Sequence, residues 1–223
     1  MNSLRRRSTI TGILFLTAMA ASLAGGGLVE SAIQSGSVSE SRMILIIGVS
    51  LELLNGIAVI GIAASLFPLL KHISESLALG YFGLRIIEAF LCIISAFVPI
   101  LIFWLETQSA AVNPDTSTIQ VFISAVRAHL TGIMIPLFFS FGAIILYYLL
   151  WQSELVPRFV SAWGFIASLL VTVPVWLKND EMMNMLFVLP IILNEIFLGI
   201  LLIIKGFNNE SSYLRELRTP GST

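Results

Sequence analysis

The sequence predicts an all-α integral membrane protein, a bundle of six transmembrane helices with both termini on the cytoplasmic side. Hydrophobic residues make up 57% of the 223 residues and charged residues only 11%, whereas charged residues account for about 25% of an ordinary soluble domain. A chain of this composition has too few polar side chains to cover a water-facing surface. Six stretches are also apolar over the length of roughly 20 residues that a helix needs to cross a bilayer.

The six predicted spans are joined by connections that are too short to fold as separate domains. The spans cover residues 9–29, 43–70, 77–104, 119–150, 156–177 and 185–204. The links at 71–76 and 151–155 are so short that the helices on either side are expected to form antiparallel hairpins. We therefore predict a single six-helix transmembrane domain over residues 1–207, followed by a polar cytoplasmic tail at 208–223.

The first span has some features of a secretory signal. Arg5, Arg6 and Arg7 precede an apolar run that contains Ala-Met-Ala at 18–20. The run continues to Val29, which is longer than the apolar core of a typical cleaved signal. We interpret this segment as a retained membrane anchor, and its cleavage would leave the other five spans in the same orientation.

The orientation follows from the distribution of lysine and arginine. If the N-terminus is cytoplasmic, the outer side carries only Arg42 and Lys178, and Arg85 and Arg127 lie within spans. The inner side then carries Arg5, Arg6, Arg7, Lys71, Arg158, Lys205, Arg215 and Arg218. Basic residues are enriched on the cytoplasmic side of membrane proteins, so both termini are predicted to be cytoplasmic. The predicted location is the plasma membrane.

Several function classes lack a sequence signal. The formal net charge is −1, and no basic patch interleaved with aromatic residues indicates nucleic-acid binding. Cys92 is the single cysteine, and neither histidine belongs to an HxxxH or HExxH motif, so no metal site is predicted. No GxSxG motif or glycine-rich phosphate loop is present. We therefore predict no catalytic residues, no metal and no cofactor.

Charged side chains inside the predicted spans are the strongest candidates for a site. A charge at the centre of a membrane helix costs roughly 2.5–3.5 kcal/mol on insertion scales, so such residues are usually paired or functional. The predicted intramembrane polar cluster comprises Glu52, Asn55, Arg85, Glu88, Arg127, Asn194 and Glu195.

Helical spacing and depth predict how these side chains pair. Arg85 and Glu88 are three residues apart and share one face of the third span. Tyr81, Cys92, Ser95 and Pro99 continue that face, which is expected to point into the bundle. Glu52 lies about 8 Å and Arg127 about 10–12 Å outward from the centre of their spans. We therefore expect Glu52 to pair with Arg127.

Glu195 is the deepest of the charged residues. The spans contain three carboxylates and two arginines, and depth and face assign the arginines to Glu52 and Glu88. Unless His129 supplies the missing cation, Glu195 is then expected to lack a cationic partner, which makes it the best candidate for reversible protonation. Pro190, one turn earlier, removes a helix hydrogen bond close to Asn194 and Glu195.

Two interpretations of the polar cluster remain open. Ion pairs between spans can fix the register of a membrane bundle, and in that case the cluster stabilises the fold. Alternatively, the cluster belongs to a small permease or proton-coupled carrier that uses Glu195. The short loops and the missing catalytic set also allow a membrane interaction or regulatory subunit. The lipid bilayer is the one predicted partner, and a protein partner or small solute is not specified.

Three parts of the sequence resemble a known family. They are Leu-Glu-Leu-Leu-Asn at 51–55 with the segments at 65–71 and 77–88, Tyr-Tyr-Leu-Leu-Trp-Gln-Ser-Glu-Leu-Val-Pro-Arg at 147–158, and the segments at 189–195 and 204–207. Together they resemble the bacterial multi-pass membrane family catalogued as domain of unknown function 4386. The most specific part is Leu-Ala-Leu-Gly at 77–80, followed by Arg85 and Glu88. This resemblance implies a bacterial membrane protein and implies no activity.

Overall fold

The computed structural model describes residues 3–34, 41–109, 116–177 and 181–208. This part of the chain is helical and contains no β-strand. The elements are α1 (Ser3–Gln34), α2 (Arg42–Leu70), α3 (Glu75–Ser109), α4 (Thr116–His129), a π-helical segment (Leu130–Met134), α5 (Ile135–Ser153), α6 (Arg158–Val171), α7 (Val173–Trp176) and α8 (Glu181–Ile204).

Six helical stretches in the described residues are long and apolar enough to cross a membrane, as predicted. They are Leu4–Gln34, Arg42–Leu70, Glu75–Thr107, Thr118–Ser153, Arg158–Trp176 and Met182–Ile204. Most of these helices extend beyond the predicted spans, because the apolar core needs only about 20 residues and polar residues continue the helix past it. The predicted tail lies outside the described residues from position 209 onward.

The six spans form a closed ring in chain order. Each span packs against the one before it and the one after it, and α8 packs against α1 to close the ring. Neighbouring spans are antiparallel, so both described chain ends lie at the same end of the bundle. We call this the terminal end, which holds Arg5 and Ile204, and we call the opposite end, with Gln34 and Arg42, the distal end.

The terminal half of the ring is filled by a continuous apolar core. Its fully buried members come from all six spans and include Phe15, Leu66, Tyr81, Leu146, Val160 and Leu198. Polar contacts at the terminal end add to this closure: Arg5 Nη2 donates hydrogen bonds to the carbonyl oxygens of Ile203 and Ile204, each at 2.8 Å. This half of the bundle therefore has a packed interior.

Glycines permit the closest helix crossings. A Cβ atom on Gly12 of α1 would lie 2.5 Å from the carbonyl oxygen of Gly199 of α8. Toward the distal end, a Cβ on Gly25 of α1 would lie 3.0 Å from the carbonyl oxygen of Gly48 of α2. Small residues allow membrane helices to approach this closely and to gain van der Waals contact.

The fifth span is interrupted where the sequence predicted one helix over 156–177. α6 ends at Val171 and the four-residue α7 begins at Val173. Pro174 has no N–H group and its ring crowds the carbonyl four residues earlier, which explains the break. By contrast, Pro68, Pro99 and Pro190 lie inside continuous helices.

Candidate functional site

The polar face of α3 points into the ring, as its spacing predicted. Tyr81, Arg85, Glu88, Cys92 and Ser95 are all buried, while the intervening Ile86, Ile87, Phe90 and Ile94 are exposed on the outside of the bundle. Residues three and four apart lie on one side of a helix. The same periodicity therefore places the apolar side chains toward lipid and the polar ones toward the interior.

Arg85 and Glu88 form a buried ion pair within α3. Arg85 Nη1 donates to both carboxylate oxygens of Glu88, at 3.1 and 2.9 Å. The guanidinium carbon also lies 5.6 Å from the ring centroid of Tyr81 and 5.1 Å from that of Phe139 on α5, within the range of cation–π attraction. Arg85 is thus held in a fixed position between α3 and α5.

Glu195 of α8 lies close to the same arginine. Its Oε1 atom is 3.7 Å from Arg85 Nη2, so the expectation that Glu195 has no cationic partner is wrong. Depth along the spans describes backbone positions, whereas the long arginine side chain spans the gap from α3 to α8. The distance is too long for a hydrogen bond, so Glu195 has an ionic neighbour without a direct hydrogen bond to it.

Glu52 of α2 pairs with Arg127 of α4, which confirms the pairing predicted from depth. Arg127 Nη2 donates to Glu52 Oε1 at 2.5 Å and Nη1 donates to Oε2 at 3.2 Å. Arg127 Nη1 also donates to the carbonyl oxygen and the hydroxyl of Ser95 on α3, at 2.7 and 3.1 Å. One arginine thus connects three spans. His129, two residues later, is exposed, as expected from the helical rotation.

The two asparagines of the predicted cluster lie in different surroundings. Asn55 of α2 donates through Nδ2 to Cys92 Sγ at 3.8 Å, midway between the two ion pairs. Asn194 is fully buried, and its Nδ2 donates to the carbonyl oxygen of Val160 on α6 at 3.0 Å. Asn194 therefore links α8 to α6, whereas its neighbour Glu195 faces the ring interior.

A π-helical segment in the fourth span went unrecognised in the sequence. The N–H group of Ile135 bonds to the carbonyl oxygen of Leu130, which is one residue farther than in an α-helix. Pro136 follows directly and was the available signal, because proline removes a helix hydrogen bond. Such segments occur frequently at functional sites, and this one lies between Arg127 and α5.

The six spans enclose a central cavity of about 260 Å³. Every span contributes to its wall, with Arg85, Glu88 and Glu195 on the charged side. Apolar side chains form most of the remaining wall, including Val59, Ile62, Phe139, Val171, Val188 and Ile191. The charged groups therefore line a space about as large as a small organic molecule.

A second cavity of about 280 Å³ lies on the distal side of the first. Glu52, Ser95 and Arg127 line this distal cavity, and its wall extends to the exposed Glu30 near the end of α1. Five residues line both cavities: Ser22, Asn55, Cys92, Thr131 and Ile135. The polar interior thus continues from the central cavity toward the distal end, whereas the terminal side is filled by the apolar core.

The chemistry available at this site is binding and proton exchange. The charged side chains of the two cavities include the carboxylates of Glu52, Glu88 and Glu195 and the guanidinium groups of Arg85 and Arg127. Within the described residues, no group of three histidine, cysteine or acidic side chains is placed to hold a metal ion. Carboxylates and guanidinium groups at a cavity wall can bind polar or charged groups of a solute.

Comparison with known proteins gives one match. The family model described as "Domain of unknown function (DUF4386)" matches residues 10–206. No curated protein matches the chain, and no solved structure does. The matched segment covers five spans in full and the first span from residue 10. On this evidence the chain belongs to the DUF4386 family of membrane proteins of unknown function.

Proposed function

We propose that this chain is a small permease of the bacterial plasma membrane that binds a polar solute in the central cavity. In this proposal residues 1–207 form one transmembrane domain and both termini are cytoplasmic, with the polar tail at 208–223 on the same side. The excess of lysine and arginine near the terminal end supports this orientation. The distal end then faces the outside, and the cavity receives its solute from there.

The observation that carries the proposal is the position of Arg85, Glu88 and Glu195 in the wall of the central cavity. A charged pair that only stabilises a membrane bundle should connect different helices, as Glu52 and Arg127 do. Arg85 and Glu88 belong to the same helix, and the contact of Arg85 with Glu195 of α8, at 3.7 Å, lacks a direct hydrogen bond. This group therefore fastens the spans together less tightly than Glu52 and Arg127 do. Arg85 and Glu88 nevertheless line the central cavity together with Glu195, which supports a role in binding.

The asymmetry of the bundle fits one state of a carrier. Binding sites of many transporters lie near the middle of the membrane and open to one side at a time. Here the site adjoins a second cavity toward the distal end and is separated from the terminal end by the apolar core. Glu195 is the group for proton coupling in this proposal, because it lies in the cavity wall without a direct hydrogen bond from Arg85.

The orientation predicts the reaction of engineered cysteines with a membrane-impermeant thiol reagent. The test uses a Cys92→Ser background, because Cys92 is the single cysteine of the chain. Gln34→Cys should react in intact cells, whereas His72→Cys should react only after the cells are opened; both native side chains are exposed. Reaction of His72→Cys in intact cells would contradict the proposed orientation.

Accessibility of the cavity predicts a second labelling pattern. Ser95 and Ser161 are both buried serines within spans, but Ser95 lines the distal cavity and Ser161 lies in the terminal half. In the Cys92→Ser background, Ser95→Cys should react from outside with a small cationic methanethiosulfonate. Ser161→Cys should react roughly tenfold more slowly or not at all, because Ser161 lines neither cavity and a thiol without access to water does not form the reactive thiolate. Equal, slow reaction at both positions would show that the cavity is closed to water, and the ion pairs would then serve the fold alone.

A further inference from the structure

We propose that the solute bound in the central cavity is a zwitterion with an apolar body, specifically a soluble α-amino acid with an apolar side chain. Its carboxylate would bind Arg85 and its ammonium group would bind Glu195. This inference rests on the proposed function and specifies the class of solute for the same cavity.

Arg85 has hydrogen-bonding capacity that its protein neighbours leave unused. Its side chain is 2% exposed, and Nη1 is occupied by Glu88. Among the described residues, Nε and Nη2 have no acceptor at hydrogen-bond geometry, although Tyr81 and Glu195 interact electrostatically with the guanidinium group. These two nitrogens form one edge of the planar guanidinium group, and such an edge binds a carboxylate through two parallel hydrogen bonds. A buried donor without an acceptor is costly, so this edge is a candidate site for an anionic group.

Glu195 provides the complementary acceptor. Its side chain is 10% exposed and lines the central cavity. The 3.7 Å between its Oε1 and Arg85 Nη2 brings opposite charges side by side without a direct hydrogen bond. An α-amino acid carries its carboxylate and ammonium on one carbon, so its two charges are also adjacent. Each charge of the ligand then faces the opposite charge of the protein.

The charge balance favours a zwitterion over a simple ion. Arg85, Glu88 and Glu195 form a group with one cation and two carboxylates. The other titratable groups nearby are Tyr81 on α3, Tyr147 on α5 and Cys92 on α3, while Glu52 and Arg127 pair with each other in the distal cavity. A bound anion would add negative charge to this group. A bound cation would offset the excess negative charge but would leave Nε and Nη2 of Arg85 without an acceptor. A zwitterion leaves the net charge unchanged and offers a partner to both Arg85 and Glu195.

The rest of the cavity wall suits an apolar side chain. Val59, Ile62, Phe139, Val171 and Ile191 also line the cavity. Burial of an aliphatic group there would be favourable, because it removes apolar surface from water. The cavity volume of about 260 Å³ accommodates a molecule the size of leucine.

The test compares three probes that differ in one charged group each. They are leucine, 3-methylbutylamine, which lacks the carboxylate, and 4-methylpentanoate, which lacks the ammonium group. Binding of radiolabelled leucine to the purified full chain in an uncharged detergent would be measured, with the unlabelled probes as competitors. Leucine should compete best, and each analogue should be about tenfold weaker or worse because it leaves one buried protein charge unpaired. Absence of leucine binding, or equal competition by either analogue, would overturn the proposal.

The Glu195→Gln variant tests the assigned roles. It retains a polar side chain of similar size, so the bundle should fold, and it should lose much of the preference for leucine over 4-methylpentanoate. Glu75→Gln is the matched control, because Glu75 is exposed at the start of α3 and lines neither cavity, and it should retain the full preference. An undiminished preference in Glu195→Gln would show that Glu195 does not contact the ammonium group.

One outcome distinguishes failure of this inference from failure of the proposed function, and another distinguishes a soluble amino acid from a lipid headgroup. If Ser95→Cys is reactive from outside but leucine does not bind, the accessible cavity stands and the zwitterion assignment fails. Phosphatidylethanolamine also carries adjacent anionic and cationic groups. If short-chain phosphatidylethanolamine displaces radiolabelled leucine better than unlabelled leucine does, the bound group is a lipid headgroup. That result would overturn the proposal of a soluble amino acid.

Discussion

Glu52→Gln and Arg127→Gln should each strongly reduce the stability of the folded protein. Removal of one partner of a buried ion pair leaves the other charge uncompensated and typically costs about 3–5 kcal/mol. Both side chains are largely buried, with 12% and 6% exposure. The measurements are the melting temperature and the yield of monodisperse protein in a mild detergent.

The double variant Glu52→Gln/Arg127→Gln should be more stable than the sum of the two single losses predicts. Recovery should be incomplete, because Arg127 also donates two hydrogen bonds to Ser95, and these are lost as well. Glu30→Gln and Arg6→Gln are matched controls at exposed positions and should change stability by less than about 0.5 kcal/mol. Strictly additive losses in the double variant would show that the two side chains do not interact in the membrane.

Gly164→Ala should destabilise the protein although it adds only one methyl group. A Cβ atom at Gly164 of α6 would lie 2.2 Å from Cε1 and 2.4 Å from Cδ1 of the Tyr147 ring on α5. Tyr147 is fully buried in the terminal core, so the ring can move only if α5 and α6 separate. Overpacking of this kind typically costs about 1–3 kcal/mol, which should appear as a lower melting temperature.

Gly83→Ala is the matched control for this prediction. Gly83 lies within α3, and no atom lies within 4 Å of the position of its Cβ. Alanine is better than glycine in a helix by roughly 0.5–1 kcal/mol, so this variant should be as stable as the native protein or slightly more so. Tyr147→Val should partly rescue Gly164→Ala, because it removes the ring that the methyl group meets. Equal stability of Gly164→Ala and Gly83→Ala would contradict the described packing of α5 on α6.

Local sequence predicts some contacts of the buried charged side chains and not others. The spacing of Arg85 and Glu88 along a single helix predicts that they share one face. Depth alone predicts the pairing of Glu52 with Arg127, because both lie at similar heights on facing helices. Depth does not predict the contact between Arg85 and Glu195, at 3.7 Å across the ring, because side-chain reach between helices is not a property of either helix alone.

The sequence by itself determined the class of the protein, its six spans and the inward face of α3. These features depend on hydropathy over about 20 residues and on a period of 3.6 residues, which are local properties of the chain. Only the tertiary structure decided that the spans close into a ring in chain order, that the terminal half is packed and that two cavities adjoin in the rest. It also separated Asn194, which bonds to α6, from Glu195, which faces the cavity. These features depend on which helix lies opposite which, and that is set by packing between residues far apart in the chain.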